Sequence, residues 1–138
     1  MPRVIAIDWG AKRVGLAITD ELQLIASPLT TVDTKDIWTY LQTYFSKENV
    51  ETVIIGEPKQ MNGLPSESTE IIEKFITQFH TEFPNMKMER VDERFTSKMA
   101  SFFISQSGKN KKQRQQKGLI DKVSATIILQ NFLEQRTR

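Results

Sequence analysis

Short apolar runs alternate along the chain with longer segments whose apolar residues recur every three or four positions, and Gly, Pro and polar clusters separate them. Residues 3–8 and 13–19 are strand-like and joined by Trp9-Gly10-Ala11-Lys12, which predicts a hairpin. Residues 24–31 predict a third antiparallel strand, with Pro28 confining it to an edge or a bulge. Thr34 or Asp36 is placed to cap a helix reaching about residue 47, with Ile37, Tyr40, Leu41, Tyr44 and Phe45 on one face. Residues 52–56 predict a buried strand ended by Pro58. Ser66 is placed to cap a helix with the stripe Ile71, Ile72, Phe75, Ile76 and Phe79, stopped by Pro84. A strand over 86–91, a helix over about 96–105 carrying Met99, Phe102 and Phe103, and a last helix over about 118–135 complete the pattern. Three consecutive strands followed by alternating helices and strands predict an α/β fold. Its sheet is mixed and five-stranded, with three antiparallel strands and then parallel ones, flanked by helices.

Composition narrows the chemistry. The 138 residues suit one domain over 1–138, and 38% hydrophobic with 26% charged residues is a globular balance. No apolar run approaches the roughly 20 residues needed to span a bilayer, and no signal-peptide pattern opens the chain, so a soluble cytoplasmic protein is expected, with no membrane partner. Without cysteine there is no disulfide, thiolate nucleophile or Cys-ligated metal, which leaves oxygen donors suited to Mg2+ or Mn2+.

The net charge of +2 conceals an asymmetry. Residues 94–120 hold Arg94, Lys98, Lys109, Lys111, Lys112, Arg114 and Lys117 and no acid, so the rest of the chain is net negative. A solvated loop is the plain account of such a run, but its position between candidate metal-ligand acids favours phosphate binding. Those acids sit at element ends. Asp8 closes the run Val4-Ile5-Ala6-Ile7, Asp92 and Glu93 follow the fifth strand, and Asp121 opens the last apolar stretch. Burying isolated carboxylates costs several kcal/mol, roughly, so a group of them implies a cation or a partner.

Four stretches together resemble the YqgF family, also called RuvX, of bacterial RNase H-like proteins. They are residues 7–17, Ile7-Asp8-Trp9-Gly10-Ala11-Lys12-Arg13-Val14-Gly15-Leu16-Ala17; residues 56–63, from Gly56-Glu57-Pro58 to Met61-Asn62-Gly63; residues 92–97, Asp92-Glu93-Arg94-Phe95-Thr96-Ser97; and Ile120-Asp121-Lys122 with the apolar helix after it. The resemblance covers essentially the whole chain in order and spacing. It implies an RNase H-like fold and a nuclease linked to 5′-end maturation of 16S rRNA precursor in ribosome biogenesis, with structural kinship to Holliday junction resolvases.

The resemblance makes Asp8 the central metal ligand at the end of the first strand. Asp92 and Glu93 are adjacent, so a strand sends their side chains to opposite faces, and one ligates while the other supports the site or pairs with Arg94; alternation does not choose between them, because a bend at the strand end can re-aim either, and Glu93 is slightly favoured. Asp121 shares a helical face with Ala125, Ile128 and Phe132, and a carboxylate on a packing face calls for a cation. Glu57 is a secondary candidate and departs from the family, where an apolar residue is more frequent at this position. Lys12, Arg13, Arg94 and Lys122 flank the acids, as phosphate contacts or equally as charge partners of Asp8, Asp92 or Glu93, with Lys109, Lys111, Lys112, Arg114 and Lys117 in the basic run. The turn Met61-Asn62-Gly63 is expected to line the substrate cleft. Trp9, beside Asp8, is a candidate to stack on a base. His80 reads as structural or surface, and Phe75, Phe79, Phe102, Phe103 and Phe132 read as core.

Phosphodiester cleavage by two metal ions about 3.5 to 4 Å apart needs carboxylates from several elements and no histidine. The expected partner is therefore structured RNA or branched DNA, bound by a monomer or homodimer. Two other classes fit parts of the pattern. One is a non-catalytic ribosome-assembly or RNA-binding factor on the same fold. The other is an ATPase module, since Asp8-Trp9-Gly10 also resembles the first phosphate loop of actin-like folds, although those need a second lobe that 138 residues do not hold.

Overall fold

The central strand is β1 (Arg3–Asp8), and every residue from Val4 to Ile7 is buried on both sides of it. A strand covered on both faces reads as a continuous apolar run rather than an alternating one, which is why this segment carries no polar residue between its ends. The computed structural model describes residues 2–10, 12–57, 69–92 and 117–136, with side chains at all of these except 57, 69, 92, 117–122 and 136.

Within those residues the elements are β1, β2 (Arg13–Thr19), β3 (Ala26–Asp33), a 3-10 turn (Thr34–Asp36), α1 (Ile37–Lys47), β4 (Val50–Glu57), α2 (Thr69–Glu82), β5 (Lys87–Asp92) and α3 (Lys117–Arg136). The sheet order is β3-β2-β1-β4-β5. β1 pairs antiparallel with β2, and β2 with β3; β4 runs parallel to β1, and β5 to β4. This is the mixed five-stranded sheet that the apolar pattern predicts.

Strand alternation divides the core in two. Ile5 and Ile7 join Ile37 and Leu41 of α1 and Ile72, Phe75, Ile76 and Phe79 of α2 on one face. Val4 and Ala6 join Ala17, Ile54 and α3 residues Ala125, Ile128 and Leu129 on the other. Each such aliphatic or aromatic side chain contributes about 1.5 to 3 kcal/mol by leaving water, so the two helical layers fix which way every β1 residue points.

The structure moves several expected boundaries for local reasons. β3 begins at Ala26 because Asp20 organises the preceding turn, its Oδ1 accepting the Leu24 and Ile25 amides at 2.8 and 2.9 Å. Gln23 sits at φ 58°, a turn conformation, and Leu24 and Ile25 are 67% and 63% exposed rather than part of a strand. Pro28 is on an edge strand, and the β2–β3 register shifts beside it, between Leu16 and Ala17. The α1 stripe holds, with Ile37 and Leu41 fully buried and Tyr40, Tyr44 and Phe45 half-buried. In α2 the stripe loses one member, because Ile71 is 48% exposed. Neither Thr34 nor Asp36 makes a side-chain cap; Asp36 occupies the N-cap of α1 without a capping hydrogen bond. Ser66 and the helix expected over 96–105, with Phe102 and Phe103, lie outside the described residues.

Candidate functional site at the carboxyl edge of the sheet

Three adjacent parallel strands end in acids. Asp8 is the last residue of β1, Glu57 of β4 and Asp92 of β5. Glu57 and Asp92 are register partners, and Ile7 pairs with Ile55, so the three acids stand at nearly one level across the edge. In α/β sheets of this kind ligands bind beyond the carboxyl ends of the strands.

α3 brings a fourth acid to the same edge. Its carboxyl-terminal residues Phe132 and Gln135 line a cavity of about 500 Å3 with Glu51 and Thr52 of β4 and Lys87 and Glu89 of β5, at the amino ends of those strands. The helix therefore runs opposite to β4, and its first turns reach the carboxyl ends. From Phe132 back to Asp121 the helix rises about 16 Å at 1.5 Å per residue. From Thr52 to Glu57 the strand advances about 16 Å at roughly 3.3 Å per residue. The two periodicities agree on the face as well: position 8 lies two residues past Ala6, position 121 four before Ala125, and Ala6 and Ala125 belong to one cluster.

The loop after Asp8 is held tightly. A side chain at Gly10 would overlap the Arg13 carbonyl oxygen, so only glycine lets the chain turn here. Thr34 donates its hydroxyl to the Gly10 carbonyl at 2.7 Å, and its backbone N–H to the Lys12 carbonyl at 3.0 Å. Thr34 thus ties the β1–β2 loop instead of capping a helix. The pattern of the sequence identified the residue and missed its partner, because the Gly10 carbonyl is 24 positions away.

Asp8 is half-buried, and Trp9 packs its ring on Phe75 with centroids 4.3 Å apart. Trp38 meets the other side of the cluster, 5.0 Å from Phe75. Trp38 is absent from the apolar stripe expected for α1, although its spacing of three and seven residues from Leu41 and Phe45 places it beside that stripe. Trp9 Nε1 and Ser124 Oγ are buried with no hydrogen-bond partner among the described residues. Ser124 falls one turn after Asp121. On the opposite side, the Arg90 guanidinium of β5 forms a two-pronged ion pair with Glu73 of α2, one arm at 2.9 Å. His80 is exposed and edge-on to Phe79, in keeping with a surface role.

Of the basic candidates, Lys12 is exposed and Arg13 half-buried at the start of β2. Lys117 and Lys122 belong to the first turns of α3. Glu93, Arg94, Lys109, Lys111, Lys112, Arg114 and the turn Met61-Asn62-Gly63 lie outside the described residues. Among the described side chains no three His, Cys, Asp or Glu residues form a metal-binding group, but those of Glu57, Asp92 and Asp121 are not in that set. Carboxylates such as those of the acids that end β1, β4 and β5 are oxygen donors of the kind a hard divalent cation takes.

A mixed sheet of this order, with acids at the carboxyl ends of its strands and at the first turns of the helix across them, defines a protein of the RNase H-like class. The fold is shared with the Fowlpox virus resolvase solved in complex with Holliday junction DNA, at a TM-score of 0.59 and 18% identity over 99% of both chains. The profile of the family described as RuvX: Holliday junction resolvase matches residues 2–135, and the chain belongs to that family. Relatives named "Putative pre-16S rRNA nuclease" include those of Flavobacterium psychrophilum, 60% identical, and Flavobacterium johnsoniae, 59% identical, each over 99% of both chains. That of Bacteroides thetaiotaomicron is 49% identical over the same share.

Proposed function

We propose that this protein is a metal-dependent nuclease that hydrolyses phosphodiester bonds in structured nucleic acid, acting in the cytoplasm on the 5′ end of 16S rRNA precursor. The observation that carries the reading is the convergence of strand-end acids with the first turns of α3 at one edge of the sheet. The relatives' shared name supports the substrate. No helix among the described residues is long and apolar enough to cross a membrane.

Asp8, Glu93 and Asp121 would hold Mg2+ or Mn2+. Val91 packs toward the α3 face while Arg90 pairs with α2; Glu93 is taken as the ligand on the sequence resemblance, with Asp92 as its support. Glu57, at the end of β4, stays a secondary candidate because it departs from the residue more frequent in the family. When bound, the metal ions supply an activated water and stabilise the leaving oxygen. The chain itself does the rest. Lys12, Arg13, Arg94 and Lys122 neutralise phosphates beside the cleaved bond, and Lys109, Lys111, Lys112, Arg114 and Lys117 bind the flanking strand. Gly10 and Thr34 hold the loop that orients Asp8 and Lys12.

The test is cleavage of a labelled 16S precursor 5′ segment and of a four-way DNA junction by wild type and Asp8→Asn, with magnesium, manganese or chelator. Metal-dependent cleavage of the RNA that disappears in Asp8→Asn is the expected result. Cleavage of the junction alone moves the substrate to branched DNA, the second reading that the family's description favours. Binding without cleavage under every condition replaces the nuclease with an RNA-binding assembly factor.

A further inference from the structure

A second feature opens one residue after Asp8, on the α1 and α2 side of the sheet. Trp9, Trp38, Ile71, Lys74, Phe75 and Gln78 enclose a surface cavity of about 190 Å3. Phe75 is buried and meets both half-buried indoles, its ring tilted 35° to that of Trp9 and 30° to that of Trp38. Ile71, the member of the α2 stripe that faces out, forms part of the wall. Ordinary small-molecule pockets run from roughly 300 to 1,000 Å3, so this one admits a single flat ring system and little more.

We infer that this cavity binds one unpaired nucleobase of the nucleic-acid strand whose backbone crosses the Asp8 edge. The inference rests on the nuclease reading above and adds a substrate feature to it: a single-stranded nucleotide close to the cleaved bond. Aromatic faces accept any base by stacking, which suits a position that must hold a strand without reading its sequence. Lys74 makes no ion pair among the described residues and stands on the rim, where the nucleotide's own phosphate would meet it. The Gln78 amide adds a donor and an acceptor for a base edge. An apolar protein side chain would match the rings and leave the Lys74 charge without a use.

The chain contains two tryptophans, and both line this cavity, so its intrinsic fluorescence reports on the cavity alone. Asp8→Asn protein is titrated with an end-labelled single-stranded RNA octamer and with the same backbone made abasic throughout. Label anisotropy reads binding and indole emission reads stacking. The expected result is saturable quenching that tracks the anisotropy for the base-bearing strand, with the abasic strand binding about 5- to 150-fold more weakly and not quenching. Trp38→Ala should weaken binding within the same range and Trp38→Phe should restore it. Lys74→Glu, at an exposed helix position, should weaken binding of both strands without unfolding the protein. Anisotropy that rises with no quenching, or equal quenching by the abasic strand, overturns the base pocket and leaves the nuclease reading standing. No rise in anisotropy with either strand also overturns the base pocket, while the cleavage assay on the precursor segment and the junction decides the nuclease reading separately.

Discussion

Thr34 and Gly10, 24 residues apart, are joined by a 2.7 Å hydrogen bond that fixes the loop between Asp8 and β2. Replacing the hydroxyl with a methyl in Thr34→Val removes the donor and keeps the volume. The expected cost is about 0.5 to 1.5 kcal/mol of stability, measured by urea unfolding. In the cleavage assay the same variant should lose rate beyond what its lowered stability explains at a temperature where it is fully folded. Unchanged unfolding and unchanged cleavage would show that the loop holds its form without this bond.

Gly10→Ala should be more damaging. The added Cβ would overlap the Arg13 carbonyl oxygen, a backbone atom that cannot swing aside. Overpacking of this kind costs about 1 to 3 kcal/mol. Thermal unfolding of the variant checks it, and a melting point equal to wild type would mean that the β1–β2 loop relaxes freely.

Asp20 is half-buried, and its carboxyl is held below the ordinary aspartate range by hydrogen bonds from the Ile25 and Leu24 amides, with Ile25 the larger cause. A depressed folded pKa stabilises the turn at pH values above the unfolded pKa, and that stabilisation disappears as pH falls through the folded value. The Leu24 and Ile25 amide resonances should therefore move together in an acid titration, with a midpoint below that of an unstructured aspartate. A midpoint at the unstructured value would mean that the turn does not favour the ionised form.

Phe79 is the largest fully buried side chain among the described residues and touches Phe75, Phe45, Phe83 and His80. Phe79→Ala should cost about 3 to 5 kcal/mol, read from the shift in denaturation midpoint. A loss under 1 kcal/mol, roughly, would imply that the aromatic cluster collapses into the space.

Divalent metal should raise the melting temperature of wild type, because a ligand at 100 times its dissociation constant adds about 2.7 kcal/mol to the native state. Asp8→Asn and Asp121→Asn should each reduce that increment, whereas Glu73→Gln, which loosens only the exposed pair with Arg90, should leave it intact. Equal metal shifts in all four proteins would move the metal away from the sheet edge.

β1 and β4 were legible because buried parallel strands write themselves as apolar runs, and Asp8 and Glu57 stand where those runs stop; β5 is an edge strand of mixed sequence, exposed or half-buried from Lys87 to Val91, and was placed by the Pro84 break before it. What escaped the pattern depends on contacts distant in sequence or on side-chain turns. Leu24 and Ile25 have strand-forming composition, but the Asp20 carboxylate captures their amides and keeps them out of the ladder. Ile71 fits the α2 stripe by spacing and still faces out, since a stripe wider than its packing surface leaves its margin exposed. The Trp38 role required Phe75 and Trp9, from two other elements, to meet it. The basic run and Glu93 rest on the sequence and the family alone.

α3 has a consequence for the order of events during folding. Ala125, Ile128 and Leu129 close the second half of the core against strands roughly a hundred residues earlier in the chain, and contacts of such long sequence separation form slowly because a large loop must close before they repay it. The β1–β2–β3 meander can form first, from neighbours in sequence, with Asp8 already at its edge. Asp121 arrives only when the helix docks. Docking of α3 and completion of the core are thus one event, and a molecule caught before it would hold the β1–β2–β3 meander with Asp8 at its edge and the face of Val4 and Ala6 still open to water.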